Sequence, residues 1–84
     1  MDVKKYEERK KMIKDMEYNI IENFIKLRKE AGMSQEKLAS ETNMIRTTVA
    51  RIERSMNSPQ LSTMLELLEP LGYTLKIVPI KGKK

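Results

Sequence analysis

The 84-residue chain carries 17 basic and 12 acidic side chains, a net charge of +5, and contains neither cysteine nor histidine. Disulfides, thiolate or imidazole metal sites and histidine general bases are thereby excluded, and no apolar run approaches the ~20 residues needed to cross a bilayer. One small domain in the cytoplasm is expected, with no cofactor, no metal, no small-molecule substrate and no enzymatic activity. The basic balance suits a polyanionic partner, but it does not say where that partner binds. Residues 1–32 hold nine basic against seven acidic residues, 33–58 four against three, and 59–84 four against two.

Residues 2–14 (DVKKYEERKKMIK) are rich in charged helix formers, and Val3, Tyr6 and Ile13 make a thin apolar stripe. A helical arm over 1–15 is expected, with a frayed solvated segment as the plainer alternative. Met16, Ile20, Phe24, Leu27 and Ala31 recur at spacings of three and four, which predicts a helix over 16–31 facing a core. Asp15 is the candidate N-cap and Gly32 the left-handed terminator. Ser34 then caps a short helix whose Leu38 and Ala39 point inward, ending near Thr42-Asn43, with Met44 plugging the turn.

Residues 45–54 (IRTTVARIER) form the next helix. Val49 and Ile52 face inward, while Arg46, Thr47, Ala50, Arg51 and Arg54 face outward. Ser58-Pro59 signals a fourth helix with a stripe of Leu61, Met64, Leu65, Leu68 and Leu71, stopped by Pro70 and Gly72. Residues 73–80 (YTLKIVPI) read as a strand. No second strand is present to pair with it, so the economical partner is the same strand of another copy, through Tyr73, Leu75, Ile77 and Val78. Residues 81–84 are a basic tail.

Ser34 to Glu53 therefore combines a short helix, a turn residue tolerant of positive φ, an apolar plug and a second short helix, the pattern of a helix-turn-helix. Ala39 is small where two steeply crossed helices approach, and Val49 stands opposite it. The outer face of the second helix suits a major groove about 12 Å wide. A solvated arginine face is the plain alternative for Arg46, Arg51 and Arg54, and core or plug roles account for most of the seven methionines. Glu7, Glu8, Asp15 and Glu17 have no nucleophile or base arranged around them and make no catalytic set.

In register, Leu27-Arg28, Gly32, Ser34-Gln35, Leu38-Ala39, Val49, Arg51-Ile52-Glu53 and Pro59 resemble the Xre/Cro-C1 family of bacterial and phage repressors, over about residues 20–72. The resemblance implies a mainly α, lambda-repressor-like bundle of four to five helices over 16–72 that binds a palindromic operator as a homodimer. It implies that Gln35 contacts a phosphate or a base at the edge of the site. Arg46, Thr47, Thr48, Ala50, Arg51 and Arg54 would face the groove, and Asn57 or Ser58 would hold the DNA backbone. It further implies a structural ion pair between Arg28 and Glu53. The family usually has Ser or Thr at Ile45, and Gly at Asn43 and Ser55.

The stretch SPQLSTMLELLEPLGYTLKIVP more narrowly resembles antitoxins of toxin–antitoxin pairs, HigA-type first and HipB-type next. That resemblance implies an autoregulating repressor that neutralises a toxin, an mRNA endoribonuclease of the RelE/HigB kind, with residues 2–14 and the outer face of the first helix as the contact. A stand-alone Xre-type repressor is the alternative, and an interaction module that has lost DNA binding is the third reading.

Overall fold

The computed structural model describes residues 2–82. Among these the chain forms α1 (Val3–Glu30), α2 (Gln35–Glu41), α3 (Arg46–Glu53) and α4 (Leu61–Leu68), followed by one 3-10 turn at Glu69–Leu71. At 1.5 Å per residue, the 28 residues of α1 span about 42 Å. That accounts for the 46 Å long dimension of the molecule.

The arm and the first core helix are one element. Asp15 is an exposed residue in the middle of α1 and caps nothing; the N-cap is Asp2, whose carboxylate accepts from the Lys4 and Lys5 N–H groups. Between Lys14 and Met16 there is no glycine or proline, and the run of good helix formers lets the hydrogen-bond ladder pass through. The buried side of α1 is Ile21, Phe24 and Arg28. Met16, Ile20 and Ala31, assigned to the core from their spacing, are exposed.

The core joins Phe24 to Leu38, Ala39, Val49, Ile52, Met64, Leu67 and Leu68. Ala39 and Val49, expected to oppose one another, both lie in this cluster. In α4 the inward row is Met64, Leu67 and Leu68; Leu61 and Leu65 of the predicted stripe are exposed. Its helix begins at Leu61 after Gln60, not at Pro59, and Pro70 stops it by converting the last turn to 3-10 geometry.

All the helices close in the same manner. Met33 N–H donates to the Arg28 carbonyl, Met44 N–H to Ala39 and Met56 N–H to Arg51, each reaching back five residues over a left-handed residue. Those residues are Gly32, Asn43 and Ser55, and Gly72 repeats the pattern after the 3-10 turn with Tyr73 donating to Leu68. Asn43 and Ser55 hold φ near +58° and +56°, at the two positions where the resembling family places glycine. A methionine follows the left-handed residue in three of the four ends. Met33 and Met44 pack onto the core there, while Met56 is exposed.

The predicted C-terminal strand is not a strand in this chain. Residues 73–80 form no ladder, and past Tyr73 N–H their backbone groups make no hydrogen bond to the backbone elsewhere among the described residues. β-branched composition favours a pleated surface only when a neighbour supplies the other edge. Leu75 instead packs against the core of its own chain, and Ile77 is 99% exposed. Of the basic tail, residues 83 and 84 lie outside the described residues.

Ser34 caps α2 as its sequence predicts, its Oγ accepting from Lys37 N–H at 3.0 Å. Ile45 heads α3 with no side-chain cap and is 68% exposed. An Ile45→Ser variant is expected to gain about 1 kcal/mol, from a capped N–H and the loss of exposed apolar surface. A shift of the urea midpoint to higher concentration with unchanged slope checks it; no shift counts against an unmet cap.

Candidate nucleic-acid interface

α3 is amphipathic by arrangement. Val49 and Ile52 are buried against the core, and this fixes which way the rest of the helix faces. Arg46, Thr47, Arg51 and Arg54 are exposed, and Thr48 and Ala50 are half-buried at the edges of that face. Three arginines and two threonines thus share one surface on a helix that α2 and α1 hold in place. Guanidinium groups supply the paired donors that guanine O6 and N7 accept, and threonine supplies a donor, an acceptor and a methyl.

The α3–α4 loop continues this surface. Thr48, Arg51, Asn57, Gln60 and Thr63 line a shallow groove of about 220 Å³ with Ile52 and Pro59 beneath them. Gln60 and Thr63 were not foreseen in the sequence. Their signal was available only through Pro59, which turns the chain so that the first turn of α4 comes beside Arg51.

One buried network sets the position of α3. Arg28 is 7% exposed. Its Nε donates to Glu53 Oε2 at 2.6 Å and its Nη2 to Glu53 Oε1 at 2.9 Å, while Nη1 donates to the Met33 carbonyl at 2.8 Å. Gln35 Nε2 donates to Glu53 Oε1 at 2.9 Å. The Glu53 carboxylate therefore accepts three hydrogen bonds and ties together α1, the first residue of α2, the last residue of α3 and the α1–α2 turn. The expected ion pair is present in bidentate form. Gln35, expected at the DNA, is half-buried and has committed one amide N–H to this network. Its remaining N–H and carbonyl oxygen are what it can offer a phosphate.

Tyr73, Ile77 and Val78 are exposed, and of the four residues expected at a dimer contact only Leu75 packs its side chain against the core of its own chain. The described residues include no helix long and apolar enough to cross a membrane, and no group of acidic side chains arranged to hold a metal ion.

Comparison with known proteins agrees with this geometry. The helix-turn-helix family HTH_3 matches residues 24–78. An HTH-type transcriptional regulator of Haemophilus influenzae is 42% identical over 64 residues, 76% of this chain and 65% of the relative, so the match spans just under two thirds of that protein. The HTH-type transcriptional regulator y4dJ of Sinorhizobium fredii is 31% identical over 60 residues, 71% of this chain and 78% of its own length. Among solved structures, a chain of a toxin–antitoxin module from Streptococcus pneumoniae is similar with a TM-score of 0.70 and 37% identity, covering 87% of this chain and 80% of that one.

Proposed function

The chain belongs to the HTH_3 helix-turn-helix family, and from that premise we propose that it is a sequence-specific DNA-binding repressor serving as the antitoxin of a toxin–antitoxin pair. The observation that carries the DNA reading is the face of α3. Arg46, Thr47, Arg51 and Arg54 face outward from a helix clamped by buried Val49 and Ile52, and Asn57 extends the row. In this reading Arg46, Thr47, Thr48, Ala50, Arg51 and Arg54 enter the major groove, and Gln35 and Asn57 hold the backbone.

Two observations support the antitoxin part. One is the likeness to the pneumococcal toxin–antitoxin module. The other is α1, which leaves Val3, Tyr6, Ile13, Met16 and Ile20 exposed as an apolar stripe along one side. A toxin of the RelE/HigB endoribonuclease kind would cover it. Coexpression with the product of the adjacent gene tests this. A growth arrest that this chain relieves, and that an Ile13→Asp, Ile20→Asp variant fails to relieve, supports it. If neither adjacent product is toxic, the alternative of a stand-alone repressor stands.

The repressor is taken to act as a homodimer on a palindromic operator, with half-sites about 34 Å or a multiple apart. The exposed Tyr73, Ile77 and Val78 are the proposed contact. Because Leu75 belongs to its own core, the test leaves it in place. Ile77→Asp with Val78→Asp is expected to yield a monomer by sedimentation and to weaken operator binding at least tenfold. A variant that remains a dimer rules out this contact.

A further inference from the structure

We propose that the lysine row of α1, Lys4, Lys11 and Lys14, is a second DNA contact that follows the phosphate backbone beside the groove read by α3; the inference rests on the DNA-binding reading above. Over the arm, residues 1–15, six basic residues stand against Asp2, Glu7, Glu8 and Asp15, which is two of the chain's five net positive charges. None of these charges forms a salt bridge, the two salt bridges of the described residues being Arg28–Glu53 and Lys37–Glu41, and Lys10 alone lies over an aromatic ring, that of Tyr6.

Placement joins this charge to the interface. Lys4, Lys11 and Lys14 are spaced by seven and three, so they share one side of α1. The same side continues to Tyr18. Lys14 and Tyr18 line a groove of about 280 Å³ together with Ser55, Met56, Asn57 and Ser58. Asn57 also lines the groove that contains Arg51, Gln60 and Thr63. The surface is therefore continuous from Arg51 through Asn57 to Lys14, and from there along the arm. The apolar stripe of Tyr6, Ile13 and Ile20 lies on a different side of the helix, so this contact does not compete with a protein partner for the same side chains.

Not every charge here favours a polyanion. Glu7 stands within the lysine row, and Asp15 and Glu17 border the groove at Lys14. Glu8 and Asp15, four residues beyond Lys4 and Lys11, flank the same side and Lys10 adds to it, so this side of the helix carries one net positive charge. Lys4 to Lys14 covers about 15 Å of helix, and one DNA strand presents a charge every ~3.4 Å of axis, so the run passes about four phosphates.

Phosphate contacts have a signature that base contacts lack. Each one adds about 0.9 to the slope of log affinity against log salt, independently of sequence. The experiment uses the full chain and a duplex selected by it from a random-sequence library, made with and without about ten flanking base pairs. Lys4→Gln, Lys11→Gln, Lys14→Gln is expected to flatten the slope by about 2–3 on the long duplex and on random-sequence DNA of equal length. On the trimmed duplex the variant and the parent should behave alike, and the Lys→Arg version should keep the parental slope throughout. Circular dichroism confirms that the helix persists in both variants. An unchanged slope on the long duplex overturns the proposal while leaving groove reading by α3 intact. A parent chain that binds no duplex at low salt overturns both.

Discussion

Arg28→Ala is expected to cost about 3–5 kcal/mol, the penalty for breaking a buried ion pair by removing one partner. The total stability of a domain this size is only about 4–13 kcal/mol, so the loss is a large fraction of it and should lower the melting temperature by roughly 12–40 °C. The magnitude follows from what remains behind. Glu53 is left without its ion-pair partner in a site where its side chain is 8% exposed, with only Gln35 still donating to it, and the Met33 carbonyl loses its donor. Arg28→Lys should recover little, because one ammonium cannot serve both carboxylate oxygens and the Met33 carbonyl from a single point. Removing both charges with Arg28→Met, Glu53→Met should recover much of the loss but not all, since Gln35 and Met33 then remain unpaired. Thermal melts of the four proteins check the order parent, double variant, Arg28→Lys, Arg28→Ala. A melting temperature for Arg28→Ala within a few degrees of the parent would remove the network from its proposed place in the fold.

That network also marks where residue reading ends. Arg28 and Glu53 are legible as a pair from register, and so are Ser34 as a cap, Asn43 as the left-handed residue and Met44 as its plug. Each is a local signal, or one shared across a known pattern. Gln35 is different. Its position at the start of α2 suits a phosphate contact equally well, and only the packing of α3 against α1 brings Glu53 within reach of its amide. Ile20 and Ile21 show the same limit. Adjacent in sequence and alike in chemistry, they differ only in which one turns toward the loop after α3, and spacing alone selected the exposed one. Asp15 had a capping signal that an uninterrupted helix overrode. Residues 73–80 had strand composition, which expresses what a segment can pair with and not what this chain provides. The interface arginines needed the opposite inference: their side chains are defined as outward by the burial of Val49 and Ile52, two residues the periodicity did identify.

Arg46→Ala with Arg51→Ala is expected to lower operator affinity by about 1–3 kcal/mol for each arginine that contacts a base, roughly 5- to 150-fold apiece. Affinity for random-sequence DNA should fall much less, so the ratio of specific to non-specific binding should collapse. This separates the two arginine roles that the geometry allows. An arginine on a phosphate weakens all sequences alike and flattens the salt dependence by about one unit, whereas an arginine paired with guanine relaxes the preference at one base position. Arg51 sits mid-helix beside Thr48 and the Asn57 groove, one turn in from the uncapped start of α3, and is the better placed to reach a base edge. Arg46 is the first residue of α3, where a backbone contact is equally served. The single variants should therefore differ in kind: Arg51→Ala changes which sequences are enriched from a random library, and Arg46→Ala changes mainly the salt slope. Both side chains are exposed, so neither change should alter the melting temperature by more than a few degrees. If the double variant binds its operator as tightly as the parent, α3 does not read the groove, and another surface of the chain carries its DNA binding.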